Sequence, residues 1–95
     1  MKYQLTDRAM DDLREAVRFY ELQADGLGAH FMIEVGIGIA RVLDAPKSWP
    51  EIEPGVQKYR IDRYPFALLY HLPNPRTVQF VAVFDLRRQP GSWRR

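Results

Sequence analysis

The sequence predicts an α+β domain of order β-α-α-β-β-β, in which a helical hairpin packs on one face of a small antiparallel sheet. Apolar residues recur at helical spacing over much of the first half of the chain, and they alternate with polar residues, as in strands, over much of the second. The proline-rich segment PKSWPEIEPG, at 46–55, separates the two patterns and is expected to be a surface loop. A chain of 95 residues has the length of one small domain, residues 1–95.

The first strand and helix are predicted at the N-terminus. Lys2–Leu5 alternates like a short strand, and Thr6 is placed to cap a helix whose first residue is Asp7. Asp25-Gly26 ends this helix. Its apolar stripe consists of Ala9, Leu13, Ala16, Val17 and Tyr20.

The second helix is predicted from about Ala29 to Leu43, before Pro46. It is apolar over most of its circumference, so we expect it to be buried on more than one side. Gly36 and Gly38 each cost about 1 kcal/mol relative to alanine inside a helix. We therefore expect another element to approach the helix closely at these glycines.

Three further strands, predicted at Gln57–Asp62, Phe66–Leu72 and Thr77–Phe84, form an antiparallel meander because their connections are short. If side chains alternate strictly in the last strand, Val78, Phe80, Ala82 and Phe84 lie on one face, and Val81 and Val83 lie on the other. Both faces of the sheet are therefore partly apolar, yet two helices cover only one face well. Either a partner chain buries the remaining apolar surface, or the C-terminal tail and the proline-rich loop cover it.

Composition excludes several classes of protein. Without cysteine the chain has no disulfide or thiol chemistry, and no apolar run approaches the ~20 residues of a membrane span. His30 and His71 lie in different predicted elements, and no dinucleotide fingerprint or Ser-His-Asp set is present. We expect a cytoplasmic protein that binds no metal, no cofactor and no membrane.

The charge is distributed unevenly along the chain. Residues 1–55 carry six basic and ten acidic side chains, net −4, whereas residues 56–95 carry eight basic and two acidic, net +6. The second half therefore presents either an electropositive surface that attracts phosphates or an acidic partner, or a solvated basic face without a ligand.

A basic and aromatic set could carry chemistry on this second half: Lys58, Arg60, Arg63, Arg87 and Arg88, with Tyr59, Tyr64, Tyr70 and Trp93. Guanidinium groups hold phosphates and rings stack on bases, so the set could bind RNA, or cleave it if a base were available. Asp85 is more simply the ion-pair partner of an arginine that lowers its pKa. Trp93 is expected to fold back on the sheet.

Three segments, DDLREAVRFYELQADGLGAHF, RYPFALLYH and VAVFDLRRQPGSWRR, resemble the RelE/ParE superfamily of bacterial type II toxin–antitoxin (plasmid stabilisation) toxins. The likeness covers nearly the whole chain, and the motifs are specific by their order rather than singly. They are Phe19-Tyr20, Gly26-Leu27-Gly28, Pro65-Phe66 through Tyr70, and Arg87-Arg88-Gln89-Pro90-Gly91-Ser92-Trp93.

The resemblance implies a β-α-α-β-β-β toxin that inhibits growth and is neutralised by a cognate antitoxin. The antitoxin would bury apolar surface of the helices, and operator DNA would be bound only through it. Its contact candidates are Phe31, Val35, Ile33 and Ile37.

The superfamily has two activities, mRNA cleavage in the ribosome (RelE-like) and inhibition of DNA gyrase (ParE-like). Ribonuclease members tend to carry an arginine where this chain has Ala67, and a tyrosine-like general base where it has Trp93 or Arg94. Many relatives have histidine at Asp85, whereas Arg88 matches a phosphate-binding arginine of the ribonucleases. The resemblance thus favours the ParE-like branch over the RelE-like one.

Site residues follow from both branches. The target-binding candidates are Arg87, Arg88, Trp93, Arg60 and Arg63. In a metal-independent endoribonuclease the catalytic candidates would be Lys58, Arg60 and Arg88. A third alternative is a non-toxic module that binds the antitoxin and serves autoregulation.

Overall fold

A helical hairpin packs against one face of a five-stranded sheet in the computed structural model, which describes residues 1–93. The elements are β1 (Lys2–Leu5), α1 (Asp7–Gln23), α2 (Leu27–Asp44), β2 (Glu51–Glu53), β3 (Val56–Arg60), β4 (Phe66–Asn74) and β5 (Thr77–Asp85). The predicted α+β class and the hairpin are confirmed. The order gains one strand and becomes β-α-α-β-β-β-β.

The strands lie in the order β1-β5-β4-β3-β2, with β1 parallel to β5 and the other pairs antiparallel. The prediction that 46–55 is entirely loop was wrong, because β2 pairs with β3 through Glu51 opposite Gln57 and Glu53 opposite Val56. Gly55, with φ +81°, makes the tight turn between these strands. Three residues are too few to display an alternating pattern in the sequence.

The start of α1 is capped as predicted, because Thr6 Oγ1 accepts the backbone N–H of Ala9 at 3.1 Å. The helix then continues the pairing of β5 beyond the end of β1. Thr6 N–H donates to the Phe80 carbonyl at 3.0 Å, and the Asp12 carboxylate accepts Val83 N–H at 3.0 Å. The N-cap Thr6 and Asp12 of α1 thus satisfy backbone groups of β5 beyond its pairing with β1.

The two glycines of α2 have different surroundings. A methyl group at Gly38 would lie 3.2 Å from both Leu68 Cδ1 and Tyr59 Cε2, so the expected close approach is confirmed there. A methyl group at Gly36 would meet nothing within 4 Å. The expectation was wrong for Gly36, because this side of α2 faces solvent.

An aromatic cluster forms much of the core between the hairpin and the sheet. Tyr20 lies at the centre, with its ring centroid 5.2 Å from that of Phe31, 4.8 Å from Tyr64 and 6.0 Å from Phe66. The rings of Tyr64 and Phe66 meet Tyr20 edge to face, and aromatic contacts at these distances add to the free energy of apolar burial. Of the motif pair Phe19-Tyr20, Tyr20 therefore lies in the core, whereas Phe19 is 44% exposed.

The predicted alternation in β5 was wrong beyond Phe80. Leu69 pairs with Ala82 and Tyr70 with Phe80, so Val81 is an extra residue in β5. Such a bulge reverses the faces of all later side chains. Val83 therefore joins the helix-side core, and Ala82 lies on the opposite face.

The C-terminal tail covers much of that second face of the sheet. Ala67, Leu69 and Ala82 are each 0% exposed there. Partly buried apolar side chains pack against them: Val56, Val81, Phe84, Leu86 and Trp93. Leu86 and Trp93 of the tail thus cover part of the second apolar face, and Trp93 folds back on the sheet as predicted.

Candidate functional site at the C-terminal strap

The site is built around residues 86–93, the strap, which follows β5. At its base the Asp85 carboxylate accepts two bonds from the Arg87 guanidinium, from Nε and Nη2, each at 2.9 Å, and a third from Arg87 backbone N–H at 3.0 Å. Arg88 N–H donates to the Asp85 carbonyl at 3.0 Å, and Gly91 turns the chain with φ +85°. The predicted pairing of Asp85 with an arginine is confirmed.

This pairing sets the protonation of both partners. Hydrogen bonds from Arg87 hold the pKa of the Asp85 carboxyl below its usual range, although partial burial acts in the opposite direction. The same bonds raise the pKa of Arg87. The Arg87 Cζ also lies 5.9 Å from the centroid of the Phe19 ring, a cation–π distance. Asp85 is therefore a poor proton acceptor, and Arg87 is fixed by a carboxylate and a ring.

Arg8 attaches the far end of the strap to α1. Its Nη1 donates to the Trp93 carbonyl at 2.8 Å, and its Nε donates to Asp12 Oδ1 at 3.1 Å. Asp12 in turn holds β5 through Val83. One carboxylate thus links α1, the last strand and the strap.

A cavity of about 230 Å³ lies between α1 and the strap. It is lined by charges of both signs and by aromatic rings: Arg8, Arg87, Arg88, Asp12, Glu15, Asp85, Phe19 and Phe66 among them. Arg88 Nη2 is 3.7 Å from Glu15 Oε1, with the two side chains 56% and 79% exposed. An ion pair so long and so exposed is weak, so the Arg88 guanidinium can turn to a ligand.

A second cavity, of about 440 Å³, lies on the sheet side of the strap. Its charged lining residues are Lys58, Arg88 and Glu53. The rest of the lining is largely apolar: Ile52, Leu69, Phe84, Leu86, Pro90, Gly91 and Trp93. The structure therefore brings the predicted residues Lys58, Arg88 and Trp93 together. Arg88 borders both cavities.

The other predicted basic residues lie apart from these cavities. Arg60 pairs in register with Ala67 and is exposed, but it lines neither cavity. Arg63 lies in the turn between β3 and β4 with φ +72°, and it also lines neither. Only part of the predicted target-binding set therefore gathers at the strap; Arg94, named as one position for a general base, lies outside the described residues.

Three tyrosines predicted to accompany the arginines belong instead to the helix-side core. Tyr59, Tyr64 and Tyr70 are 2%, 7% and 0% exposed, so they cannot stack on a ligand without unfolding. Burial raises the pKa of Tyr70 to about 12, and its hydroxyl donates to the Pro46 carbonyl at 2.6 Å. Tyr70 therefore anchors the segment before β2.

Two of the four predicted antitoxin contacts lie in the core of this chain. Phe31 and Val35 are 0% and 2% exposed, because their stripe of α2 faces the sheet. Ile33 and Ile37 are 60% and 39% exposed on the outward side. Periodicity alone could not decide which apolar stripe of α2 is the core.

The histidines lie away from the strap. His30 Nδ1 is 2.7 Å from Tyr64 Oη, and His71 bonds to Gln79 across β4 and β5. In residues 1–93 no three side chains of metal-ligating type gather as a metal site would require. Within this range neither helix has the length and apolar composition of a membrane-spanning segment.

Other residues of the site were not found from the sequence. Arg8, Asp12 and Glu15 were not among the candidates, and β2, which supplies Ile52 and Glu53, was not predicted. The spacing of Arg8 and Asp12, which is i and i+4, was the available signal for an ion pair. Nothing local indicated that this pair would also bind β5 and the strap.

Comparison with known proteins adds to this geometry. No protein-family model matches the sequence, and the curated proteins give no match. A solved structure titled "Chromosomal ParDE TA system from P. aeruginosa" contains a chain that superposes with a TM-score of 0.76 at 16% identity, over 90% of this chain and 96% of that chain. At this identity the likeness shows the fold. The predicted α+β fold is therefore confirmed, and it is shared with a chain of a ParDE system.

Proposed function

We propose that this chain is the toxin of a type II toxin–antitoxin pair and that it is ParE-like, inhibiting DNA gyrase. The observation that carries the proposal is the fold shared over 96% of a chain from a ParDE system, together with the ordered motifs of the superfamily in this sequence. Neutralisation by a cognate antitoxin follows from the same assignment.

The strap supports the ParE-like branch. Metal-independent RNA cleavage needs a base for the 2′-hydroxyl proton and cations for the phosphate. Asp85 is bound by Arg87, and Ala67, at the position where ribonucleases tend to carry arginine, is 0% exposed. Trp93 packs against the cluster that contains Ala67. Arg88, 56% exposed and weakly paired, is the residue we assign to target contact.

The antitoxin contact is assigned to the outward side of α2. Ile33 and Ile37 are exposed apolar residues, and isolated apolar side chains on a surface would need no partner. Here they are neighbours one turn apart on one helix, as in the recognition of a helix or an extended segment. Phe31 and Val35 no longer belong to this proposal.

One observation favours the endoribonuclease as the second candidate. Lys58, Arg88 and Glu53 line the same cavity of about 440 Å³, a volume in the range of small-molecule sites. Two cations and a carboxylate could bind a phosphate and move a proton. An endoribonuclease would cleave mRNA, whereas a gyrase inhibitor would leave mRNA intact.

Growth on induced expression tests the toxin assignment. The chain is expressed in a bacterial host alone and together with the neighbouring open reading frame. We expect growth arrest that the neighbour reverses. Absence of arrest, with folded protein present, contradicts toxicity; antitoxin binding without arrest would indicate the non-toxic module.

Two assays run side by side separate the branches: supercoiling by DNA gyrase, and ribosome-dependent mRNA cleavage. We expect blocked supercoiling and intact mRNA, with Arg88→Ala weakening inhibition about tenfold, the effect of roughly 1.4 kcal/mol. The matched control is Arg14→Ala, which removes an exposed arginine of α1 that pairs with Asp11. If mRNA is cut instead, and Lys58→Ala and Glu53→Gln abolish cutting, the endoribonuclease is the correct assignment.

A further inference from the structure

Between Ala29 and Ala40 the outward side of α2 is an apolar strip, and the exposed Asp44 follows it at the end of the helix. Its members are all exposed: Ala29, Met32, Ile33, Gly36, Ile37 and Ala40. Met32, Ile33 and Ile37 are 43%, 60% and 39% exposed. A surface helix normally turns its polar side outward, so this strip is suited to contact with another molecule.

The spacing within the strip specifies the shape of that molecule. Ala29, Ile33, Gly36 and Ala40 follow one another at intervals of four, three and four residues. This is the spacing of positions a and d in a coiled coil, in which a second helix lies lengthwise along the seam. Met32 and Ile37 flank the seam on either side.

We propose that the strip binds a second copy of this chain, with the two α2 helices antiparallel about a two-fold axis. In that register Ile33 faces Gly36 of the copy, and Ala29 faces Ala40 of the copy. A large residue thus meets a small one twice at the centre, and small residues meet at the ends. The surface is self-complementary, as a two-fold interface requires.

Gly36 supports this arrangement because no contact within residues 1–93 explains it. A glycine inside a helix lowers its stability, and at Gly38 close packing on Leu68 and Tyr59 accounts for the choice. At Gly36 a methyl group would meet nothing within 4 Å. The notch at Gly36 is therefore open to a side chain from outside the chain, and Ile33 of a copy has the shape to enter it.

Charge and area set the strength of the dimer. The strip has no charge, so no like charges meet along the seam, and antiparallel helix dipoles attract. At each end, however, Asp44 would lie near the turn that contains Asp25 of the copy. Twelve helical residues span only about 17 Å, so the contact falls at or below the low end of specific interfaces, roughly 1,200 Å². We expect a reversible dimer that dissociates on dilution. It does not depend on the toxin assignment, and an antitoxin bound to the same residues, Ile33 and Ile37, would displace the copy.

Sedimentation of the purified chain from about 1 μM to about 1 mM tests self-association. We expect the average mass to rise toward that of a dimer. Gly36→Ile places isoleucine against isoleucine and should weaken association at least tenfold, whereas the double variant Ile33→Ala with Gly36→Ile restores a large-to-small contact and should recover it. Circular dichroism verifies that each variant is folded. Leu22→Ala, which changes an exposed apolar residue of α1 outside the strip, is the control and should leave association unchanged.

Disulfide trapping tests the register, because the chain has no cysteine of its own. Chains with Ala29→Cys are mixed with chains carrying Ala40→Cys and a size tag, and then oxidised. We expect the mixed disulfide to exceed both self-linked products. A monomer at every concentration, failure of the double variant to recover, or preferential linking of position 29 to itself would each overturn the proposal; a monomer would leave a helix of another protein as the occupant.

Discussion

Replacing Asp12 with alanine should destabilise the protein more than its position on an outer helix suggests. The Asp12 carboxylate accepts Val83 N–H at 3.0 Å and Arg8 Nε at 3.1 Å. Val83 is 4% exposed, so water cannot readily replace the lost acceptor. Arg8 also loses the group that orients it toward the Trp93 carbonyl.

The two lost interactions of Asp12 contribute different amounts to the free energy of unfolding. A buried N–H left without an acceptor costs about 1–3 kcal/mol. The Arg8–Asp12 pair, with side chains 31% and 20% exposed, adds only about 0.3–0.5 kcal/mol. We expect Asp12→Ala to lower the free energy of unfolding by about 2 kcal/mol, which in a domain of this size lowers Tm by roughly 8–16 °C. Asp12→Asn, which keeps an acceptor oxygen, should cost about half as much.

Urea unfolding followed by circular dichroism measures this difference, and hydrogen exchange at the Val83 amide reports its location. The control is Asp11→Ala, the same substitution one residue earlier. The Asp11 side chain is 76% exposed and pairs with Arg14 at 3.3 Å, so the change should stay within about 0.5 kcal/mol. Equal destabilisation by the two substitutions, or an unchanged exchange rate at Val83, would refute the reasoning.

Three further predictions concern the same fold. Gly36→Ala should raise the free energy of unfolding by about 0.5–1 kcal/mol, whereas Gly38→Ala should lower it, because only Gly38 has close neighbours. Urea titration of the dilute monomer measures both changes. Trp93→Ala should lower the free energy of unfolding by about 1–3 kcal/mol and increase binding of a hydrophobic dye, since it uncovers the second face of the sheet. Arg87 lowers the pKa of Asp85 in the folded state, so the pair stabilises the fold above the unfolded pKa near 3.9. This contribution to the free energy of unfolding is lost as the pH falls through the folded pKa. In urea titrations between about pH 5 and pH 2, Asp85→Asn should therefore lose less stability than the unmodified chain.

Features that depend on neighbouring residues could be read from the sequence. The cap at Thr6 needs only a side-chain oxygen and the next three residues, and the pairing of Asp85 with Arg87 spans two residues. Both helices follow from periodicity, although α2 begins at Leu27 and not at Ala29. These features were predicted because their causes are local.

Features that depend on distant residues could not. The bulge at Val81 reverses the faces of the later residues of β5. Backbone groups on the edge of β5 form hydrogen bonds with Thr6 and Asp12, about 70 residues earlier in the chain. On α2 both stripes are apolar, so only the position of the sheet decides that Phe31 is core and Ile33 is surface. The strap cavities combine residues from four or more separate segments. Local pattern contains no information about these combinations.

The two arginines of the strap are adjacent in sequence but not equivalent in chemistry. Arg87 is committed to Asp85 and lies over Phe19, so its removal would release the base of the strap as well as any ligand. Among the described residues the side chain of Arg88 has one ion-pair partner, the distant and exposed Glu15, and it borders both cavities. Loss of activity in an Arg87 variant would therefore not distinguish target contact from a displaced strap. Loss of activity in a folded Arg88 variant would, and for this reason Arg88 is the residue on which the identity of the target should be tested.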